Sequence, residues 1–528
     1  MLKKIEITYR VKCYHGEDVK RLVRKIALEQ TVEVPDELAA IRGIGETIIG
    51  KTESITPTNK ENIYLAVISY NPEITAYQLP QFLNVLYGNI SLLNGIKIID
   101  IKLPECFVEK FRGPNYGING IRKLLGVYGR PLLSTALKPM GLSHSELAEI
   151  AYNFALGGGD LVKDDHGLVD RSFDKFKERI SLCTKAVMRA NAETGKNTIY
   201  FPNICAPADM LESCVSFAAG EGIRGILISP FLVGIDSVRY LSEKFNMIFM
   251  THPALTGTHF HDINHGIAID VLLGTIFRLA GADISIYPNT GGRFGFTSDD
   301  CKKLNDALRQ PLYNIKPSFP APAGGMSYER ITDMATLYGI DTVYLIGGAL
   351  HLYNKSLRKG TADFLNKIRE VFPEEKTTTP DLSSNLTHSS CNTYANTQGE
   401  LPCHIPFSNF SWQGRTPKIY KPLEHQDFKD IIRHELTGRY GEETKFDLRY
   451  FEIAEKGYSS LEKHHHEHVI ICVRGFGQLI CGTEKITLSP LDVAYVPPMQ
   501  VHQLINESAE PFGFFCIVDH IRDKPQKP

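Results

Sequence analysis

Lys163, Asp164, Asp165 and His166 are released together at the end of the stretch Gly157–Gly167, which reads GGGDLVKDDHG. The apolar pair Leu161–Val162 just before them reads as a strand, so the charged residues fall at its end. A lysine beside carboxylates can be carbamylated by CO2. Its side chain then changes from a cation into an oxygen ligand, and with the aspartates it makes an oxygen-rich site for a hard divalent cation such as Mg2+. The bland alternative is a solvated turn of charges after a buried strand, and the elements around the motif decide between the two.

With 528 residues the chain exceeds one ordinary domain. A hydrophobic content of 43%, a charged content of 22% and a formal charge of −2 describe a soluble globular protein with no basic excess for nucleic acid or an anionic membrane. No apolar run is long enough to span a bilayer. The N-terminus alternates like a strand and lacks the apolar centre of a signal peptide. The eleven cysteines form no CxxC pair, and Cys183, Cys214, Cys472 and Cys516 sit in apolar or helical runs, as buried thiols of a cytoplasmic protein would.

Residues 1–128 mix strand patterns (EITYRV, NIYLAVISY) with helical ones (Gly16–Gln30, Gln78–Leu86), which predicts an α+β domain. Over 129–372 a strand–helix rhythm takes over. Strands are expected at Leu132–Leu137, Asp160–Lys163, Thr198–Asn203, Gly225–Ser229, Met247–His252, Asp283–Tyr287, Tyr313–Lys316 and Val343–Ile346. Amphipathic helical stretches lie between them, and this alternation predicts a (β/α)8 TIM barrel, an α/β fold whose active site lies at the C-terminal ends of its strands. Those ends carry Lys138, Lys163–His166, Asn203, His252, Asn289–Arg293, Ala323–Gly325 and Gly347–Gly348. Residues 373–415 are polar and aperiodic, which predicts a flexible linker. Strand patterns return over 416–528 as a small all-β domain.

The stretches GRPLLSTALKPMGLS, GGGDLVKDDHG, YFPNICAP, THPALTG, PNTGGRFGF, PAGGM and LIGGAL fall in order at successive strand ends. Together they resemble the large subunit of RuBisCO, and more closely the RuBisCO-like proteins, which share its fold without fixing CO2. The resemblance covers roughly residues 5–372. It implies that Lys163 is the carbamylated lysine, that Asp165 is a metal carboxylate, and that His166 stands where the family has glutamate. Lys138 resembles the strand-one lysine that moves a proton at the substrate's enolisable carbon, His252 the strand-five histidine that touches substrate oxygens, and Arg293 takes the place of the mobile-loop lysine. Asn89, in YGNI, resembles the asparagine lent to a neighbouring subunit's site, with Glu29 as a second such residue, so a homodimer is implied.

The departures narrow the chemistry. Met140 replaces a second strand-one lysine of the carboxylases. Pro253, Ile286 and Ala323 replace an arginine, a histidine and a serine that hold one phosphate of the bisphosphate. Gly324, Gly325, Gly347 and Gly348 remain as a backbone cradle for the other phosphate. The resemblance therefore implies a sugar monophosphate substrate, Mg2+, and enolisation or isomerisation rather than carboxylation. RuBisCO-like proteins of this type act on methylthio-sugar phosphates of methionine salvage or related sulfur recycling. Others decarboxylate oxo-sugar acid phosphates.

The tail, GYSSLEKHHHEHVIICVRGFG…SPLDVAYVPPMQVHQLIN, resembles the two cupin motifs. Counting back from Gly475 assigns Glu462, His464 and His468 as ligands, and Pro497 and Asn506 frame His502 as the fourth. Positions 462, 464, 466 and 468 share parity and would face one side of a strand, with His466 as a substitute ligand. Such a nitrogen-rich set suits Mn2+ or another transition metal. The resemblance extends to a cupin that removes a methylthio group from 1-methylthioxylulose 5-phosphate. A non-catalytic sugar-binding role is the alternative.

Overall fold

A computed structural model describes residues 3–373 and 405–520, apart from 421–426, 438–443 and a few shorter stretches. The chain divides into two compact units, Met1–Thr379 and Pro380–Pro528.

Ile5–Lys12, Lys51–Pro57, Ile63–Tyr70 and Ile96–Lys102 form an antiparallel sheet in the first unit. The short strand Gly266–Ile267 joins its edge in parallel. Alternation in Ile5–Lys12 buries Ile5, Ile7, Tyr9 and Val11.

Eight parallel strands follow: Leu132–Leu137, Leu161–Asp164, Ile199–Phe201, Gly225–Ile228, Ile248–Thr251, Ile284–Pro288, Phe319–Ala323 and Val343–Leu345. The parallel bridge Asn203–Leu227 closes the ring between strands three and four. Helices cover the outside, beginning with His144–Leu156, whose first turn is fixed by the Ser143–Glu146 capping box. Inside, Leu132, Leu161, Ile199, Phe201, Leu227, Ile248, Met250, Ile284, Ile286, Phe319, Val343 and Leu345 fill the barrel. Ile118, Ile121 and Leu125, on the helix Gly117–Leu125, pack into the same cluster. A boundary after residue 128 thus falls behind a helix that packs with the barrel.

The expected strand Tyr313–Lys316 is corrected. That segment is a turn closed by a Leu312–Ile315 bridge, and strand seven is Phe319–Ala323, FPAPA. Strand patterning hides it because prolines usually exclude a central strand. Here Phe319 N–H donates to Asp283 on the strand-six side, so alternation turns Pro320 and Pro322 toward strand eight. Strand eight pairs with strand seven only at Ala323–Leu345, where few N–H donors are needed.

Antiparallel strands make up the second unit, including Lys429–Thr437, Phe446–Tyr458, His468–Arg474, His502–Ile505 and Phe512–Asp519. They enclose a core of Ile453, Ile470, Leu479, Val496, Phe512 and Phe514. Most of the expected linker lies outside the described residues, but its last part is not a linker. Phe407–Ser408 and Ser411–Trp412 form a two-stranded ribbon, and Trp412 packs with Leu436 and Tyr450. Three aromatics within six positions (Phe407, Phe410, Trp412) supply apolar area that a free polar segment would lack.

Candidate functional site

Strand parity selects which charged residues reach the barrel mouth. Leu132 and Leu161 point inward, so Ala136, Lys138 and Lys163 follow on the same side. Asp164, one residue on, points outward. There Arg179 Nη1, the Tyr200 hydroxyl at 2.8 Å and the Asn203 N–H at 2.7 Å all donate to it, between the sheet and the helix Phe173–Thr194. One aspartate of the pair therefore anchors a helix and the other faces the site. The glycines upstream set up this turn. Gly158 has φ +89°, and a Cβ on Gly159 would lie 2.1 Å from the Phe154 ring.

At the mouth, Lys138 Nζ lies 3.1 Å from Asp165 Oδ1, and His166 Nδ1 lies 3.6 Å from the same oxygen. The His166 ring stacks on His252 with centroids 4.2 Å apart and planes 8° off parallel. Asn203 Nδ2 donates to the carbonyls of His166 at 3.1 Å and Leu168 at 3.2 Å, which holds the DHG loop in place. Lys163 is 3% exposed, and its Nζ donates to the Asp164 carbonyl at 3.0 Å. Burial pushes the Lys163 amine down to about 8; the Asp165 charge opposes this shift and the Lys138 charge adds to it. His252 is held well below the usual imidazole range by burial and by the charges of Lys163 and His166, so it is neutral near pH 7. Burial resists ionisation of Asp165, but hydrogen bonds from His166 and Lys138 outweigh it and hold the carboxyl below its ordinary range.

The other expected residues lie elsewhere. Gly324 and Gly325 have φ of +83° and +65°, and a Cβ on Gly325 would meet Gly292 Cα at 2.8 Å, so the strand-six and strand-seven loops touch. Arg330 donates to the Thr290 carbonyl at 3.0 Å and to Gly325, clamping the two loops, a role the sequence did not reveal. Gly347 precedes the short helix Gly348–Tyr353. Arg293 is exposed on its loop, 4.8 Å from the Phe294 ring, and among the described residues it makes no ion pair. Asn89 donates to Glu29 at 3.1 Å and to Glu33 at 2.8 Å. Ile286 is buried and Met140 is 67% exposed.

The donor set of the mouth fits a hard divalent cation. Asp165 is ionised, and a carbamate on Lys163 would convert a buried cation into an oxygen donor beside it.

In the second unit His464, His468 and His502 come together with ligand atoms within 4.8 Å of one another. His464 Nδ1 lies 2.7 Å from the His466 carbonyl, and His502 Nδ1 lies 3.0 Å from that of Gln500. Each contact orients its ring within the group. His468 Nε2 is buried with no hydrogen-bond partner. An orphaned buried nitrogen beside two others fits a transition metal. Glu462 lines the same cavity of about 200 Å³, but its carboxylate is outside this close group. His466 is buried and stacks on His464 at 3.7 Å. Burial alternates as expected over His464, His466 and His468, whereas Glu462 and Lys463 are both half-buried, and the regular strand begins only at His468.

Residues 117–364 match the family described as ribulose bisphosphate carboxylase large chain, catalytic domain, and residues 449–518 match the cupin domain. The 5-methylthioribulose-1-phosphate isomerase of Rhodospirillum rubrum is 35% identical over 370 residues, which covers 70% of this chain and 97% of that protein. A putative 2,3-diketo-5-methylthiopentyl-1-phosphate enolase of Shouchella clausii is 30% identical over 302 residues, 56% of this chain and 80% of that protein. The crystal structure of a Rubisco-like protein from Rhodopseudomonas palustris superposes with a TM-score of 0.62 at 34% identity, covering 71% of this chain and 100% of that one. Among the described residues no helix is long and apolar enough to cross a membrane.

Proposed function

The chain belongs to the ribulose bisphosphate carboxylase large-chain family, and on that premise we propose that its barrel isomerises or enolises a sugar monophosphate and does not fix CO2. One observation carries this reading. Lys163, Asp165, Lys138 and His252 come together at the mouth, while Pro253, the buried Ile286 and Ala323 offer no cation for a second phosphate. A phosphate desolvated there would find no compensating charge. The specific reaction proposed is 5-methylthioribulose 1-phosphate to 1-methylthioxylulose 5-phosphate, supported by the similarity to the Rhodospirillum rubrum isomerase. The similarity to the Shouchella clausii protein supports diketo-methylthiopentyl-phosphate enolisation as the second reading.

Asp165 and a carbamylated Lys163, with His166 beside them, would hold Mg2+, which would supply Lewis-acid polarisation of the substrate carbonyl. Lys138, tethered to Asp165, moves the proton at the adjacent carbon. Neutral His252 orients a substrate oxygen, and its stacking on His166 keeps the ring fixed. The glycine turns after strands seven and eight receive the phosphate through backbone N–H groups. Asn89, bonded to Glu29, faces a neighbouring barrel in a homodimer.

Carbamylation consumes the neutral amine. With Lys163 titrating near 8 rather than 10.5, the reactive form is the minority below pH 8 and the majority above it. At fixed dissolved CO2, activation of the enzyme is expected to rise through pH about 8, checked by initial rates after preincubation across that range. A rate of activation independent of pH there would count against a carbamate.

In the same reading His464, His468 and His502 of the cupin would hold Mn2+ or a similar ion, and the methylthio group would be removed reductively: a small thiol takes it up as a mixed methyl disulfide while the released carbon gains the thiol proton, giving deoxyxylulose 5-phosphate. Housing both sites on one chain raises the local concentration of the shared intermediate. His468→Ala is expected to remove the transition metal from the dialysed full chain while the Mg2+-dependent barrel reaction continues, as read by elemental analysis and rate. The substrate is tested by following methanethiol release from 5-methylthioribulose 1-phosphate in the presence of excess small thiol, which accepts the methylthio group and then frees it as methanethiol. Isomer formation without methanethiol would leave the cupin as a binding module.

A further inference from the structure

The cupin cavity holds a buried arginine that makes no ion pair among the described residues. Arg449, on Phe446–Tyr458, is 9% exposed and lines the cavity formed by His464, His468 and His502. Among the described residues its guanidinium makes one hydrogen bond, from Nη2 to the Cys516 thiol at 3.4 Å, and Nε is buried without a partner. Its carbon Cζ lies 5.1 Å from the Phe451 ring. No carboxylate pairs with it there. Glu435 stands directly opposite Arg449 in the ladder, yet its carboxylate is engaged by Lys418 and by Arg433 at 3.4 Å. Arg433 and Tyr420 line the same cavity.

A guanidinium taken from water and given only a thiol and an aromatic face is poorly compensated, because buried charges are otherwise paired or hydrogen-bonded. The planar fork of arginine matches the two oxygens of a carboxylate or phosphate. Cys516 also lies 3.6 Å from His468 Nδ1, so a single thiol links the arginine to a histidine of the metal group. The cation and the metal ligands therefore border one chamber of about 200 Å³, which admits a small metabolite and not a polymer.

We propose that Arg449 is the oxyanion anchor of the cupin: it binds the phosphate or carboxylate group of a small metabolite whose other end meets the metal held by the three histidines. This rests on the reading that those histidines bind a transition metal.

The test uses the full chain loaded with Co2+, whose visible bands are strong in a histidine-rich site of low coordination number and weak in an octahedral oxygen site such as the barrel's. Inorganic phosphate and acetate are titrated separately while the bands are followed. The expected result is a saturable band change with at least one of the two anions, with half-saturation moved about tenfold or more by Arg449→Met. Stronger binding of phosphate assigns a phosphate ester, and stronger binding of acetate assigns a carboxylate. Arg449→Lys, which keeps the charge and loses the fork, is expected to fall between wild type and Arg449→Met, and it serves as the test if the methionine variant does not fold. Strong Co2+ bands that neither anion perturbs at tens of millimolar, or that respond equally in wild type and both variants, would overturn the proposal. Absence of strong bands in the wild type would instead sink the metal assignment beneath it.

Discussion

Lys163→Met is expected to lower barrel turnover by about 10³-fold or more while leaving the fold intact. The magnitude follows from the proposed role of Lys163 as a carbamate oxygen donor on which proton transfer depends, since positioned acid–base groups alone contribute about 10²–10⁴-fold. The expectation for the fold comes from burial. Lys163 is 3% exposed and makes one hydrogen bond, to the Asp164 carbonyl, so its amine is an electrostatic liability that methionine removes at similar volume. Lys163→Arg is expected to be equally inactive, because a guanidinium remains charged and forms no carbamate. Steady-state rates and urea unfolding of the same preparations check both halves. Activity within tenfold of wild type would remove Lys163 from the mechanism.

The two neighbouring aspartates are expected to separate stability from activity. Asp164→Ala leaves the fully buried Arg179 with Asp170, at 2.9 Å, as its remaining acidic partner, and strips the acceptor from the Tyr200 hydroxyl and the Asn203 N–H. Breaking such a buried pair costs about 3–5 kcal/mol, so the urea midpoint of the barrel should fall sharply. Asp165→Asn touches a partly exposed carboxylate whose partner Lys138 is 42% exposed, so it should leave the midpoint nearly unchanged. Its effect belongs to turnover, with a loss of about 10²-fold or more expected as one anionic metal donor disappears. If Asp165→Asn proved the destabilising change and Asp164→Ala the inactivating one, the parity assignment would be reversed.

That separation also marks the limit of what the sequence discloses. GGGDLVKDDHG announces a strand end loaded with charge, and the flanking strand ends identify the barrel and its mouth. Choosing Asp165 over Asp164 agrees with strand alternation, but the Arg179–Tyr200–Asn203 set around Asp164 joins three separate segments that carry no local signal. Strand seven is invisible because Pro320 and Pro322 mimic a loop, and their tolerance depends on which neighbour each N–H would have faced. Arg330 and Arg449 are missed for a related reason. An arginine in a helical or strand pattern reads as a surface residue, and only tertiary placement reveals one as a loop clamp and the other as a buried cation beside three histidines. The histidine run was legible because its burial alternates even where regular strand pairing has not yet begun.

Conversion of a sugar monophosphate without CO2 fixation is read from the 31P spectrum of 5-methylthioribulose 1-phosphate incubated with the full chain, CO2 and Mg2+. The substrate resonance is expected to be replaced by that of an isomeric monophosphate in the wild type and to persist with Lys163→Met. An unchanged spectrum with metal-loaded wild-type protein would contradict it.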